Sequence, residues 1–297
     1  PMTAPAVSVS NIVKCFKADQ PVLNDVSLSV AEGEMIGLIG ASGSGKSTLI
    51  RLIAGFETID RGQGEIRLFG KQCQHLGQRK QAISDLHKDV GIIFQQFNLV
   101  GRLTLLMNVL AGRLGRVSRL RGTFGLFPRE DRIISLRALE RVGIVDMAYQ
   151  RASTLSGGQQ QRAAIARMLA QEAKLILADE PIASLDPASA ENVMSTLREI
   201  NRQDGVTVIV SLHQIDHAFK HCDRIIALKD GVVVHDGKVG DITREDLTEL
   251  YGYDAFEDEN FGVADDEDDD VSVVTPLHGQ GRDRKPAPLA VASAADA

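Results

Sequence analysis

The string GASGSGKST, Gly40 to Thr48, restricts the fold of this chain more than any other stretch. It directly follows the apolar run MIGLIG and directly precedes KSTLIRLIAG, whose apolar residues recur at helical spacing. A strand, a turn of the form G-x-x-x-x-G-K-[ST] and a helix in that order form a phosphate-binding loop. Gly40, Gly43 and Gly45, with Ala41, Ser42 and Ser44 between them, let backbone N–H groups turn inward around phosphate oxygens. The start of the following helix adds the positive end of its dipole. Lys46 is suited to neutralise the β- and γ-phosphates, Ser47 to ligate Mg²⁺, and Thr48 to reach the α-phosphate side.

LILADE supplies the acidic partner of that loop. An apolar strand ends in Asp179, suited to hold Mg²⁺, and Glu180, suited to polarise the attacking water. Four near-continuous apolar runs, MIGLIG (35–40), VGIIF (90–94), LILAD (175–179) and TVIVSL (207–212), have the length and character of strands covered on both faces. Amphipathic stretches such as AENVMSTLREINRQ separate them, so the fold class is α/β with a mainly parallel sheet. The opening VSVSNIVKCF, VLNDVSLSV and EIRLFG alternate with period two, which predicts a smaller antiparallel β layer beside the core. From about Phe97 to Met168 strand signals fade. TLLMNVLAG and DRIISLRALERVG read as helices there, which predicts a helical lobe inserted in the sheet domain.

The acidic balance is local. Residues 255–297 carry eleven acids against three bases, so this stretch has net charge −8 while the whole chain has −7. The remaining 254 residues are near neutral and offer no basic stripe, and no nucleic-acid partner is expected. The tail ends in KPAPLAVASAADA, with too few large apolar groups to offset the entropy of ordering; it is expected either to stay disordered or to order on a basic surface. Cys15, Cys73 and Cys222 show no metal-ligand spacing and read as buried structural thiols in a reducing compartment. No apolar run approaches the ~20 residues that cross a bilayer, and the N-terminal PMTAPAVSVS lacks the layout of a secretion signal.

LSGGQQQR, residues 155–162, lies between the phosphate loop and the DEP strand end, its serine 109 positions after Ser47. Together these strings resemble the ATP-binding cassette proteins, over roughly residues 6–252. The resemblance implies a P-loop NTPase (RecA-like) core with an antiparallel β subdomain and an inserted α-helical subdomain at about 97–168. It also implies that two copies pair head to tail, the signature of one capping ATP held by the loop of the other. Ser156, Gly157, Gly158 and Gln159 would then touch the γ-phosphate in trans. Phe16, 30 residues before Lys46, resembles the aromatic that stacks on adenine. Gln95 resembles the glutamine that senses Mg²⁺ and water, with Gln96 as the register alternative. Ser184–Leu185–Asp186 resembles the loop exchanged across the dimer, and His213 the switch histidine at the γ-phosphate. Catalysis would thus fall to Glu180, His213, Lys46 and Gln95, and metal binding to Ser47, Gln95 and Asp179.

One departure stands after the strand end, where many importer ATPases read DEPTSALD and this chain reads DEPIASLD, with Ile182 in place of a small hydroxyl residue. Together with AGRLGRVSRLRG, GLFPREDR and SLHQIDHAFKHCDRIIALKDG, that string is similar to the ATPase subunits of phosphonate importers. The resemblance implies an ATP- and Mg²⁺-dependent subunit, peripheral on the cytoplasmic face of the membrane. Its partners would be a second copy, transmembrane permease subunits and an extracytoplasmic solute-binding protein. The ATPase of an exporter or of another solute's importer is the alternative, and a non-transport cassette protein a third class. The groove for the permease's cytoplasmic helix is expected near the Gln95 loop and the helical lobe, including Phe97 to Leu106. Seven arginines against two acids between Arg102 and Arg132 suit either a solvated face or contact with anionic lipid or an acidic permease loop.

Overall fold

The computed structural model describes residues 4–17, 20–62, 64–80, 88–117, 122 and 125–251. The acidic tail at 255–297 lies outside the described residues, as do Arg119 and Arg121.

Two sheets organise the chain. The strands Val7–Lys17 (β1), Gln20–Val30 (β2), Glu65–Leu68 (β4), Lys71–His75 (β5) and Gln78–Arg79 (β6) form an antiparallel sheet in the order β2-β1-β4-β5-β6. The second sheet has the order β11-β10-β3-β9-β8-β7, built from Met35–Ile39 (β3), Val90–Ile93 (β7), Leu175–Asp179 (β8), Thr207–Ser211 (β9), Arg224–Lys229 (β10) and Val232–Lys238 (β11). All its pairings are parallel except the β10–β11 hairpin at one edge. Every residue of β3, β8 and β9 is buried, as continuous apolar runs in a sheet covered on both faces require. The strands β5, β6, β10 and β11 are the part of the sheet architecture that the hydropathy runs do not predict.

The helices are Lys46–Ile53 (α1), Leu105–Leu110 (α2), Arg129–Arg141 (α3), Gly157–Gln171 (α4), Pro187–Asp204 (α5), Ile215–His221 (α6) and Arg244–Tyr251 (α7). Helix α1 buries Leu49, Ile50, Leu52 and Ile53, each contributing about 1.5–3 kcal/mol of apolar burial. They join one core with Val9, Leu23 and Val26 of the antiparallel sheet and Ile36, Leu38, Leu177 and Ile209 of the parallel sheet. That shared core fixes the phosphate loop between the two sheets. Between β7 and β8 the described regular elements are helical, and α4 packs against both α2 and α3.

The arginine-rich stretch is less available than its composition suggests. Arg113 is buried, its Nε donating to Asp131 Oδ1 at 2.8 Å and its Nη1 to the Ala170 carbonyl at 2.9 Å. Burial opposes its charge, but the hydrogen bonds to Asp131 and Glu172 outweigh that and raise its pKa. Arg113 is therefore an internal strut between α3 and the end of α4, not part of a docking face. Cys73 and Cys222 are buried as expected, whereas Cys15 is half-buried near a strand end.

Candidate nucleotide site

Strand order brings distant residues of the sequence to one line at the carboxyl end of the sheet. In register, Leu38 of β3 pairs with Ser211 of β9, which pairs with Asp179 of β8. The loop that leaves β3, the acids that end β8 and the histidine that follows β9 therefore open on one crevice, where open α/β sheets bind ligands.

The phosphate loop depends on two close approaches. At Gly40 (φ 143°) a Cβ would lie 2.1 Å from the Leu228 carbonyl oxygen, and at Gly45 (φ 106°) it would lie 2.6 Å from Leu23 Cδ2. Around Gly43 there is open space, so the loop is tight against the fold on one side and free on the other. Lys46 is buried and donates from Nζ to the Gly40 carbonyl at 2.6 Å and the Ala41 carbonyl at 3.1 Å. Desolvation lowers its pKa, and the nearby charges of Glu180 and Asp179 act in the opposite direction. The buried Ser44 hydroxyl has no hydrogen-bond partner among the described residues. A buried ammonium turned onto loop carbonyls, an orphaned hydroxyl and an open glycine cradle fit a polyanionic phosphate group.

Ser47 Oγ donates to Asp179 Oδ1 at 2.8 Å, which joins the loop to β8 at the place where the two would share a divalent cation. Ser211 Oγ donates to the same Asp179 oxygen at 3.0 Å and accepts from the Glu180 N–H at 2.8 Å. Glu180 adopts the left-handed conformation, φ 50°, at a cost of about 1–3 kcal/mol for a non-glycine residue. Its carboxylate Oε1 lies 2.6 Å from His213 Nε2, with Glu180 a fifth exposed and His213 about two-fifths. Glu180, His213 and Lys46 thus share one crevice. Ser211 is the functional residue that sequence motifs miss; the signal for it is a hydroxyl ending a fully buried strand beside LILAD.

The remaining expected residues fall in three places. Phe16 is 57% exposed, carries Lys14 Nζ 5.0 Å above its ring, and shares with Val22, Gly43 and Asp230 a cleft of ≈ 410 Å³ beside the phosphate loop. Gln95 and Gln96 follow β7 and are both exposed; no described hydrogen bond joins either to Ser47 or Asp179. Ser156 caps α4 through a reciprocal pair, its Oγ accepting from Gln159 N at 3.3 Å and its own N–H donating to Gln159 Oε1 at 2.9 Å. A Cβ on Gly158 would lie 2.7 Å from Ser189 Oγ, and one on Gly157 3.3 Å from Leu185 Cδ2. The glycine pair therefore lets the start of α4 press against the start of α5 in the same chain. Asp186 caps α5, its Oδ1 accepting from Ser189 N at 3.0 Å. Ile182, the departure after the strand end, is buried, and Glu180 and Asp186 keep their places on either side of it.

A second residue absent from any motif reaches the loop from the far end of the fold. The Gly40 N–H donates to Tyr251 Oη at 2.8 Å, so the last residue of α7 braces the first glycine.

A family model described as ABC transporter matches residues 23–183. The phosphonates import ATP-binding protein PhnC of Cupriavidus pinatubonensis is 53% identical over 252 residues, 85% of this chain and 90% of that protein. Its namesake in Caulobacter vibrioides is 52% identical over 248 residues, 84% of this chain and 94% of that protein. Among solved structures, the dimeric post-hydrolysis state of an ATP-binding cassette bound to ADP and Pi aligns at 33% identity with a TM-score of 0.65, covering 78% of this chain and 98% of that one. The cbiO1 protein of Clostridium perfringens, part of an ABC transporter complex, aligns at 25% identity with a TM-score of 0.70, covering 83% and 94%. Matched by that family model over more than half of its length and 53% identical to a phosphonates import ATP-binding protein over most of both chains, the chain belongs to the ABC transporter family, as one of its ATP-binding subunits.

Proposed function

We propose that this chain is the ATP-hydrolysing subunit of an importer for phosphonates, working as a head-to-tail pair on the cytoplasmic face of a permease. The observation that carries the catalytic part is the continuous hydrogen-bonded line Ser47–Asp179–Ser211–Glu180–His213. The solute class rests on the relatives named above. The working domain is residues 6–252, with about 97–168 as its helical lobe.

Each residue of the crevice has a task that its position suits. The amides of residues 43–48 and Lys46 bind phosphate oxygens, and Lys46 must leave the Gly40 and Ala41 carbonyls to do so. Ser47 Oγ and Asp179 would hold Mg²⁺, with Gln95 approaching from its exposed loop. ATP with Mg²⁺ supplies the phosphoryl group and neutralises the charge that develops on it. Glu180 Oε1 orients the attacking water and takes up its proton, and His213 Nε2 holds that oxygen in place. Phe16, exposed at the mouth of the cleft, would stack on the adenine. The second copy presents its Ser156–Gln159 segment with the amides of α4 directed at the terminal phosphate, which is why this glycine pair serves a site other than its own. Asp186 stands beside it at the start of α5.

Among the described residues no helix is long and apolar enough to cross a membrane, so the permease supplies the span. Its docking helix would use the groove of ≈ 480 Å³ lined by Phe56, Lys88, Ile92, Gly112, Arg116 and Met168. This groove is lined by β7 and by residues 111–116 of the helical lobe; neither Gln95 nor any residue from Phe97 to Leu106 lines it. A solute-binding protein would complete the importer outside the membrane.

The test is uptake of labelled methylphosphonate and, separately, phosphate, in cells with the gene intact, deleted, or carrying Glu180→Gln. Loss of phosphonate uptake alone in both altered strains is expected. Survival of phosphonate uptake in the deletion strain would remove the assignment.

A further inference from the structure

Outside the nucleotide crevice, α5 and α6 bring together three groups of metal-ligand type. His217 and His221 are spaced i, i+4 on α6, so their rings lie on one face, stacked with centroids 6.0 Å apart and planes inclined by 19°. Glu191, in the second turn of α5, faces both: its Oε2 is 3.2 Å from His221 Nε2 and 3.7 Å from His217 Nδ1. One ligand atom from each residue lies within 4.8 Å of the others. Tetrahedral zinc with bonds of 2.0–2.2 Å separates its ligand atoms by about 3.4 Å, so small side-chain rotations close the set.

The environment points to a ligand rather than to an ion pair alone. His217 Nδ1 is buried and accepts no hydrogen bond within the described residues. Glu191 Oε1 is held by Lys220 Nζ at 2.7 Å and by Ser195 Oγ at 3.3 Å, which leaves Oε2, hydrogen-bonded to His221 Nε2, as the arm turned to the two imidazoles. Such outer hydrogen bonds are what orient a metal-ligating side chain. The His221 side chain is 7% exposed, His217 15% and Glu191 36%, so the cluster is walled by the helices and open on the carboxylate side, where a water can complete four-coordination. Cys222, next in sequence, does not join: burial pushes its thiol up to about 12, and its sulfur packs at Gly37.

We propose that Glu191, His217 and His221 form a site for a divalent transition ion of the zinc class, and that its occupancy slows ATP turnover by pinning α5 to α6. The ordering of N/O donors suits Zn²⁺ over Mg²⁺ or Ca²⁺, which take oxygen. The consequence for turnover rests on the ATPase reading, since α5 starts at Asp186 and α6 starts two residues after His213; the binding of the ion does not.

The experiment uses the untagged full chain. Titration with ZnCl₂ in the absence of nucleotide should give one ion per chain, with affinity at least ~10-fold weaker in His217→Ala and in Glu191→Gln, since even outer-shell losses cost 10–100-fold. Far-ultraviolet circular dichroism and unchanged ATP affinity certify that each variant is folded. In the turnover assay at saturating Mg²⁺-ATP, zinc should slow the wild type at least ~3-fold and leave His217→Ala unaffected. No saturable zinc binding, or equal affinity in the folded variants, overturns the site. Binding with undiminished turnover overturns the pinning. A chain that binds zinc but never hydrolyses ATP would refute the ATPase reading and leave the site standing.

Discussion

Ser211→Ala removes one oxygen from a fully buried strand end, and the structure sets the size of the effect. The hydroxyl makes two bonds, donating to Asp179 at 3.0 Å and accepting from the Glu180 N–H at 2.8 Å, at a residue with no exposure. A hydrogen bond to a charged group contributes about 1.5–3 kcal/mol, and an orphaned buried N–H costs about 1–3 kcal/mol. Because the two losses share one atom and the strand can relax, about 2–4 kcal/mol is expected, which corresponds to a fall in Tm of about 5–15 °C for a domain of this size. Function should suffer beyond stability, because the bond to the Glu180 N–H helps hold that residue at its left-handed φ of 50°. A displacement of about 1 Å in a reacting group can cost ~100-fold in rate, so kcat should fall at least ~10-fold while ATP affinity stays within ~3-fold. Differential scanning calorimetry and steady-state ATPase assays at 15 °C, well below either transition, separate the two effects. A Tm within ~1 °C of the wild type together with unchanged kcat would refute the bridging role.

Other perturbations follow from the same geometry. Glu180→Gln should retain ATP binding and ATP-dependent dimers in size-exclusion chromatography while turning over at least ~100-fold slower, within the range of general-base loss. Gly40→Ala should abolish ATP binding measured by calorimetry, since its Cβ would lie 2.1 Å from the Leu228 carbonyl oxygen and nothing in that backbone is free to retreat. Arg113→Ala should cost about 3–5 kcal/mol in denaturant titration by leaving Asp131 buried and unpaired, whereas exposed Arg116→Ala should cost under ~1 kcal/mol. Burial opposes ionisation of Glu191, but hydrogen bonds from Lys220 and His221 outweigh it and bring the carboxyl down to about 2 from 4.5. A depressed carboxyl stabilises the fold above its unfolded pKa and loses that contribution as pH falls toward about 2, so the Tm gap between wild type and Glu191→Gln should shrink between pH 5 and pH 2.5.

Much of the nucleotide crevice is legible in the chain because its chemistry is written in contiguous strings. A phosphate loop is a strand, a turn and a helix start, all within Met35 to Ile53, and only glycine at Gly40 and Gly45 permits the turn. Helix caps are equally local, as with Ser156 and Gln159, or Asp186 and Ser189. Continuous apolar runs likewise announce β3, β7, β8 and β9, since burial on both faces leaves no room for alternation.

What the chain alone determined, then, was the class of sheet and the set of residues that meet phosphate, because backbone conformation and residue type suffice at short range. Only the tertiary structure decided which residues support them. Ser211 bridges Asp179 and Glu180 because β9 lies between β3 and β8, an order that no local pattern encodes. Tyr251 reaches Gly40 across 211 positions, Arg113 turns inward to Asp131, and Glu191 meets two histidines of another helix. These contacts form when buried apolar faces pack, and packing selects partners by shape and proximity rather than by their place along the chain.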